Sequence, residues 1–160
     1  MIIEEILLQE ESKTLEYKEQ IDSLSAIIKT VIAFANTAGG TLVLGIENKT
    51  KRVVGIEKAL DQEERLINAI SDSIIPLLIP HIEIQSYRGK HIILIKIPHA
   101  AGPFYLKSSG PEKGTYIRSG STTRNADEEM LDSLRLFARR ISFDEVPYLA
   151  DLDLIDFEAL

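Results

Sequence analysis

The sequence predicts an α/β domain of the α+β kind, a mixed sheet with hairpins packed by about three helices. Three observations lead there. Apolar residues recur at helical spacing in three stretches: Ile27, Val31, Phe34 and Ala38; Leu66, Ala69, Ile70, Ile74 and Leu77; Met130, Leu134, Phe137 and Ile141. Between them lie β-branched and apolar runs bounded by short polar turns, at Thr41 to Ile46, Ile82 to Tyr87 and His91 to Ile97. Finally, 160 residues with 44 % hydrophobic content suffice for one domain that buries about two-thirds of its unfolded surface.

Taken in order, Ile2 to Leu8 is expected as a short amphipathic helix. Thr14 to Lys18 follows as a short strand with Leu15 and Tyr17 on one face, since side chains alternate. The first long helix starts near Ser25, with Ser23 or Ser25 as its cap, and closes at Gly39-Gly40, where glycine reaches the left-handed conformation at little cost. Thr41 to Ile46 then suits a strand buried on both faces. The polar turn Asn48 to Lys51 leads to Val53 to Ile56, expected to pair with that strand as a hairpin. Asp61 with Glu64 predicts a capping box for the second helix, which stops before Pro80. Arg88-Gly89-Lys90 joins the next two strands in a hairpin. Phe104 to Lys107 and Thr115 to Arg118 are expected as a third hairpin around a Gly/Pro/Ser loop, and Asn125 with Glu128 as the capping box of the last helix.

The domain is expected to span 1–143. Residues 144–160 hold six acids and no base, and read as an acidic linker to a C-terminal domain absent from this chain. The acidity is local: residues 127–160 hold ten acids against three arginines, which accounts for the whole formal charge of −7 and leaves the body neutral. From Lys107 to Arg124 four bases face one acid.

Several function classes drop out. With no cysteine there is neither a disulfide framework nor a cysteine zinc site. The apolar runs fall far short of the roughly 20 residues that span a bilayer, and the acidic N-terminus has no signal-peptide character, so a cytoplasmic protein is expected. The nearest phosphate-loop candidate, Gly40 to Gly45, has Ile46 where lysine is required and follows a helix instead of a strand, so ATP is not expected at this domain. His81, His91 and His99 lack the spacing of a zinc cluster, and there is no Gly-x-Ser-x-Gly elbow.

Two candidate sites remain. Glu11, Glu16 and Glu47 stand at element ends; brought together, they would hold a hard divalent ion such as magnesium or manganese, which prefers oxygen ligands and can activate water. As solvated acids among 25 they would do none of this, and spacing alone does not decide. The second candidate is Pro103 to Arg124. Tyr105 and Lys107 share a parity, as do Tyr116 and Arg118, and rings interleaved with bases suit nucleic acid. Lys113, Ser121, Thr122, Thr123 and Arg124 add charge, hydroxyls and backbone donors for phosphate oxygens. An ordinary hairpin with tyrosines in the core and solvated lysines is the alternative. Asn36 and Thr37, near a helix end, are expected to bond local backbone.

Three stretches together resemble the Schlafen-type AlbA-like domain: Glu11-Ser12-x-x-Leu15-Glu16-Tyr17-Lys18, Ile32-Ala33-Phe34-Ala35-Asn36-Thr37-Ala38-Gly39-Gly40-Thr41-Leu42-Val43-Leu44-Gly45-Ile46-Glu47, and Tyr116-Ile117-Arg118-x-Gly120-Ser121-Thr122-Thr123-Arg124. The resemblance covers about residues 8–140. It implies an AlbA-like α/β fold related to nucleic-acid-binding domains, found in bacterial proteins named as transcriptional regulators and placed before a winged helix or an ATPase module. The family has also carried a divergent ATP-binding label, which the missing phosphate loop does not support here. In the Schlafen nucleases a Glu-x4-Glu pair and a later acidic residue form a metal-dependent RNase site. Glu11 and Glu16 match the pair; the third position is Glu47 or its neighbour Asn48.

Three readings follow. The first is a nucleic-acid-binding N-terminal module of a bacterial regulator, with DNA or RNA as partner and no membrane. The second is a magnesium- or manganese-dependent endoribonuclease using Glu11, Glu16 and Glu47. The third is a dimerisation or interaction module of a multidomain ATPase-containing protein, with exposed strand edges as the interface.

Overall fold

The computed structural model describes residues 2–144. In chain order these form α1 (Ile3–Ile6), β1 (Leu15–Lys18), α2 (Leu24–Thr37), β2 (Gly40–Leu44), α3 (Ala59–Ser73), β3 (Ile74–Ile75), β4 (His81–Tyr87), β5 (Lys90–Ile97), β6 (Tyr105–Leu106), α4 (Gly110–Gly114), β7 (Tyr116–Ser119), β8 (Thr122–Asn125) and α5 (Glu128–Asp144). The expected acidic linker lies outside the described residues except for Asp144, which ends α5. No helix among the described residues is long and apolar enough to cross a membrane.

The main sheet has the order β1-β2-β5-β4, with β1 and β2 parallel and the other pairs antiparallel, a mixed α+β architecture consistent with an AlbA-like fold. Alternation along its central strands builds two cores. Leu42 and Leu44 of β2 and Ile93 and Ile95 of β5 pack on α2 and α3 through Ile27, Val31, Phe34, Leu66 and Ile70. Val43, Leu94 and Ile92 point the other way, joining Leu15 and Tyr17 against Ile3 and Ile6 of α1. Cover on both faces explains why β2 and β5 read as continuous apolar runs. The Tyr17 hydroxyl reaches the carbonyls of both Ile6 (2.7 Å) and Gln9 (2.6 Å), tying α1 to the sheet. Burial, reinforced by the negative charges of Glu10 and Glu11, pushes the Tyr17 phenol above its ordinary pKa.

The joint from α2 to β2 forms as its sequence predicts. Ser23 Oγ accepts the Ala26 N–H at 3.2 Å, and the helix closes where Gly39, at φ +72°, donates to the Phe34 carbonyl at 2.7 Å. A Cβ on Gly39 would lie 2.8 Å from the Ile97 carbonyl oxygen and 2.9 Å from the His99 nitrogen, both backbone atoms that cannot swing aside. Gly39→Ala is therefore expected to destabilise by at least about 2 kcal/mol, from left-handed strain plus the clash, read as a lower urea midpoint at unchanged m-value.

Four expectations are corrected. Val53 to Ile56 does not form a full hairpin strand: one bridge joins Ile46 and Val53, after which the Ile56 N–H donates to the His91 carbonyl, carrying the chain across to β5. The second helix starts at Ala59 behind Lys58, without a side-chain cap, so Asp61 lies inside its first turn. It ends at Ser73 instead of running to Leu77, because Ile75 precedes Pro76, a position that disfavours helical backbone. The third hairpin is re-paired: β6 bonds β3, the supposed loop is α4, and β7 turns back on β8 through Gly120 at φ +59°. Only a bridge between Tyr105 and Thr115 survives of the expected pairing. Finally, Asp127 Oδ1, not Asn125, accepts the Met130 N–H at 2.8 Å, and the buried side of α5 is set by Leu131. Met130 and Phe137 stay partly exposed, with the Phe137 ring stacked on His99.

Candidate nucleic-acid interface

The three glutamates sit in three different settings. Glu11 lies ahead of β1 and accepts the Tyr17 N–H at 3.0 Å and the Asn48 side-chain amide at 3.1 Å. Glu16, one residue from Tyr17, points to the opposite face of the sheet, where its carboxylate meets Arg118 Nη1 (2.6 Å), Lys18 Nζ (3.4 Å) and the Thr30 hydroxyl (3.3 Å). Glu47 curls into its own turn, accepting from the Lys49 and Thr50 N–H groups and the Thr50 hydroxyl. Those bonds, led by the Thr50 hydroxyl, hold the Glu47 carboxyl down at about 2.

Of the two alternatives the sequence left open, the convergence of Glu11, Glu16 and Glu47 is not formed, and among the described residues no three acidic, histidine or cysteine side chains gather as a metal site. Strand alternation separates Glu16 from Glu11, and the turn consumes Glu47. The position that reaches Glu11 is Asn48, an uncharged amide. Glu16, already neutralised by a buried arginine, is a poor ligand for a hard cation, so this donor set does not fit a shared magnesium or manganese ion.

Arg118 also departs from expectation. Its parity does match that of Tyr116, but their shared face packs inward on α2 and β1. The Arg118 side chain is 0 % exposed, with Nη1 on Glu16 and Thr123 Oγ1, Nη2 on the Ser12 carbonyl at 2.8 Å, and the guanidinium 4.8 Å from the Phe34 ring centroid. Its backbone N–H donates to Thr37 Oγ1 at 2.9 Å. A phosphate contact by Arg118 is therefore replaced by a strut that pins the β7–β8 hairpin to the sheet. Tyr116 is half-buried against the core with Lys29 Nζ 5.5 Å over its ring, and Tyr105 is half-buried in β6. Both rings are partly covered, closer to the core-packed alternative than to fully exposed stacking platforms.

Asn36 supplies a second tether that local reasoning misses. It is 5 % exposed, donates to the carbonyls of Phe104 and Tyr116 at 2.9 Å each, and accepts the Phe104 N–H at 2.8 Å. Asn36 and Thr37 are structural as expected, but they bond backbone 68 to 81 residues away instead of their own helix end. The legible signal is two polar residues that directly follow the apolar run Val31 to Ala35.

What remains exposed is the other side of the hairpin. Cross-strand pairing puts Arg118 with Thr123 and Tyr116 with Asn125 on the inner face, leaving Ile117, Ser119, Thr122 and Arg124 on the outer one. Ser121 stands at the exposed tip, and the Thr122 hydroxyl donates to the Ser119 carbonyl at 2.7 Å. At the foot, Asn125 donates to the Lys113 carbonyl at 2.9 Å, fixing the backbone that carries the exposed Lys113. Lys107 is exposed beside a groove of about 640 Å³ that also includes Ser25 and Asp72. With Arg118 neutralised internally, Lys107, Lys113 and Arg124 stand against Glu112 as the exposed charges of this stretch.

Comparison with known proteins finds the same fold elsewhere. The N-terminal domain of a protein from Nitrosomonas europaea named as related to the ATP-dependent DNA helicase RecG is similar at 28 % identity and a TM-score of 0.59, over 78 % of this chain and 90 % of that one. The DIP2311 protein from Corynebacterium diphtheriae shares the fold at 23 % identity and a TM-score of 0.59, over 77 % of this chain. The match spans about a quarter, 24 %, of that longer protein. The family model described as Schlafen, AlbA_2 matches residues 11–127, from the glutamate that closes the β1 edge to the aspartate that caps α5, and the chain belongs to that family.

Proposed function

We propose that this domain is a nucleic-acid-binding module of a larger bacterial regulatory protein, which contacts phosphate and sugar through the outer face of the β7–β8 hairpin. The observation that carries this reading is the rigid presentation of that face. Arg118 and Asn36 lock the hairpin from behind, so Ser119, Ser121, Thr122 and Arg124 are held in place in front, with Lys113 at the foot. Phosphate oxygens are recognised by donors and cations in fixed positions, and a pre-ordered hairpin pays less entropy on binding. Family membership and the RecG-related neighbour support the same class of partner. The metal-dependent nuclease reading has no comparable support, since its three glutamates are committed to separate partners.

Fluorescence anisotropy with labelled duplex DNA and structured RNA tests the proposal. Binding is expected at low salt and to weaken steeply as salt rises. Lys113→Ala with Arg124→Ala is expected to reduce affinity about tenfold or more and to lower the salt slope by about 2, with the melting temperature unchanged. No binding of either nucleic acid at low salt overturns it. Strands recovered intact with magnesium or manganese present are the expected companion result.

A further inference from the structure

The two edges of the main sheet are finished differently. On β1 the outward Tyr17 N–H is taken by the Glu11 carboxylate, and Leu15 bridges to Ser12, so that edge is closed. On β4 the outward backbone groups have no comparable closure among the described residues. Tyr87 and Lys90 flank the two-residue turn Arg88-Gly89, and residues flanking such a turn exchange both backbone bonds. Counting back, Gln85, Glu83 and His81 also direct their backbone groups to β5, whereas Ile82, Ile84 and Ser86 direct theirs outward. Among the described residues no backbone bond beyond the sheet reaches those three. The strand His-Ile-Glu-Ile-Gln-Ser-Tyr carries no proline, lysine or bulge of the kind that protects an exposed edge.

We propose that β4 pairs antiparallel with β4 of a second copy of this chain, about a two-fold axis at Ile84. The outward set is symmetric about that residue: Ile82 meets Ser86 of the second copy, Ile84 meets Ile84, and six hydrogen bonds use every outward group. This register sets the Glu83 carboxylate opposite the Gln85 amide of the second copy, avoiding the like-charge contact of two facing glutamates. The ends are complementary too. Leu77 and Ile79, 66 % and 71 % exposed, precede β4, and antiparallel pairing carries them toward the far end of the other strand. There a groove of about 560 Å³ is lined by Leu60, Ile84, Ser86 and His91, with Leu60 itself 75 % exposed. Each copy offers apolar residues at one end and a groove at the other, which a two-fold operation satisfies twice. Seven paired residues run about 24 Å, and the apolar ends widen the contact toward the roughly 800 Å² per partner of a stable dimer.

Sedimentation equilibrium of the full chain without nucleic acid, so that the result is independent of the binding proposal, is expected to give twice the chain mass, falling toward one on dilution. Ser86→Pro removes an outward N–H at a position where an edge strand tolerates proline, and Leu60→Glu charges the groove. Both are expected to sediment as monomers with unchanged far-ultraviolet circular dichroism. On the unmodified chain, the Ile82, Ile84 and Ser86 amides are expected to exchange at least about tenfold more slowly in the dimer than after dilution. That reading stands even if a variant fails to fold. A monomer at every concentration overturns the proposal, as does a dimer whose three amides exchange at the monomer rate.

Discussion

Arg118→Ala is expected to cost the domain about 3–5 kcal/mol, the range for removing one partner of a buried ion pair. The side chain is fully enclosed, and its loss strips Glu16 Oε1 of a 2.6 Å partner, the Ser12 carbonyl of its donor and the Phe34 ring of a cation. For a domain of this size the melting temperature should fall by about 10 °C. The conservative Arg118→Lys should not rescue it, because an ammonium cannot serve Glu16, Thr123 and Ser12 from one planar fork. A cycle with Glu16→Gln gives the coupling, expected at 1 kcal/mol or more. If Arg118→Ala instead weakened nucleic-acid binding at unchanged stability, the guanidinium would be a surface contact and the strut assignment would fall.

Asn36→Ala should rank second, at about 3 kcal/mol. It orphans three backbone groups, the buried Phe104 N–H and carbonyl and the half-buried carbonyl of Tyr116, each worth about 1–3 kcal/mol before relaxation. Asn36→Asp is expected to be at least as damaging, because it keeps the acceptor for the Phe104 N–H but turns a second oxygen toward two carbonyls. Urea unfolding measures the loss, and faster exchange of the Phe104 amide localises it. Since Asn36 holds β7 from α2, nucleic-acid affinity should fall along with stability, unlike the Lys113 and Arg124 variants.

These two effects mark where reading along the chain stops. The sequence by itself determined the parts whose cause is local: the apolar stripe of α2 capped by Ser23, its closure at Gly39, the apolar strand that follows, and the hairpin that joins β4 to β5 through Arg88 and Gly89. Periodicity and turn chemistry act over a few residues, so they are legible there. The AlbA-like fold and the family followed from the motifs those elements carry, and both hold.

Only the tertiary structure decided which side of each motif faces solvent. Parity paired Tyr116 with Arg118 correctly, but 102 residues separate Arg118 from the Glu16 that draws it inside. The same holds for β6, whose partner is β3 and not the neighbouring segment, and for Glu11, which bonds an amide 37 residues away while Glu47 turns back on itself. A charge goes to the partner that best repays its desolvation, and that choice depends on which distant elements the packed core brings within reach.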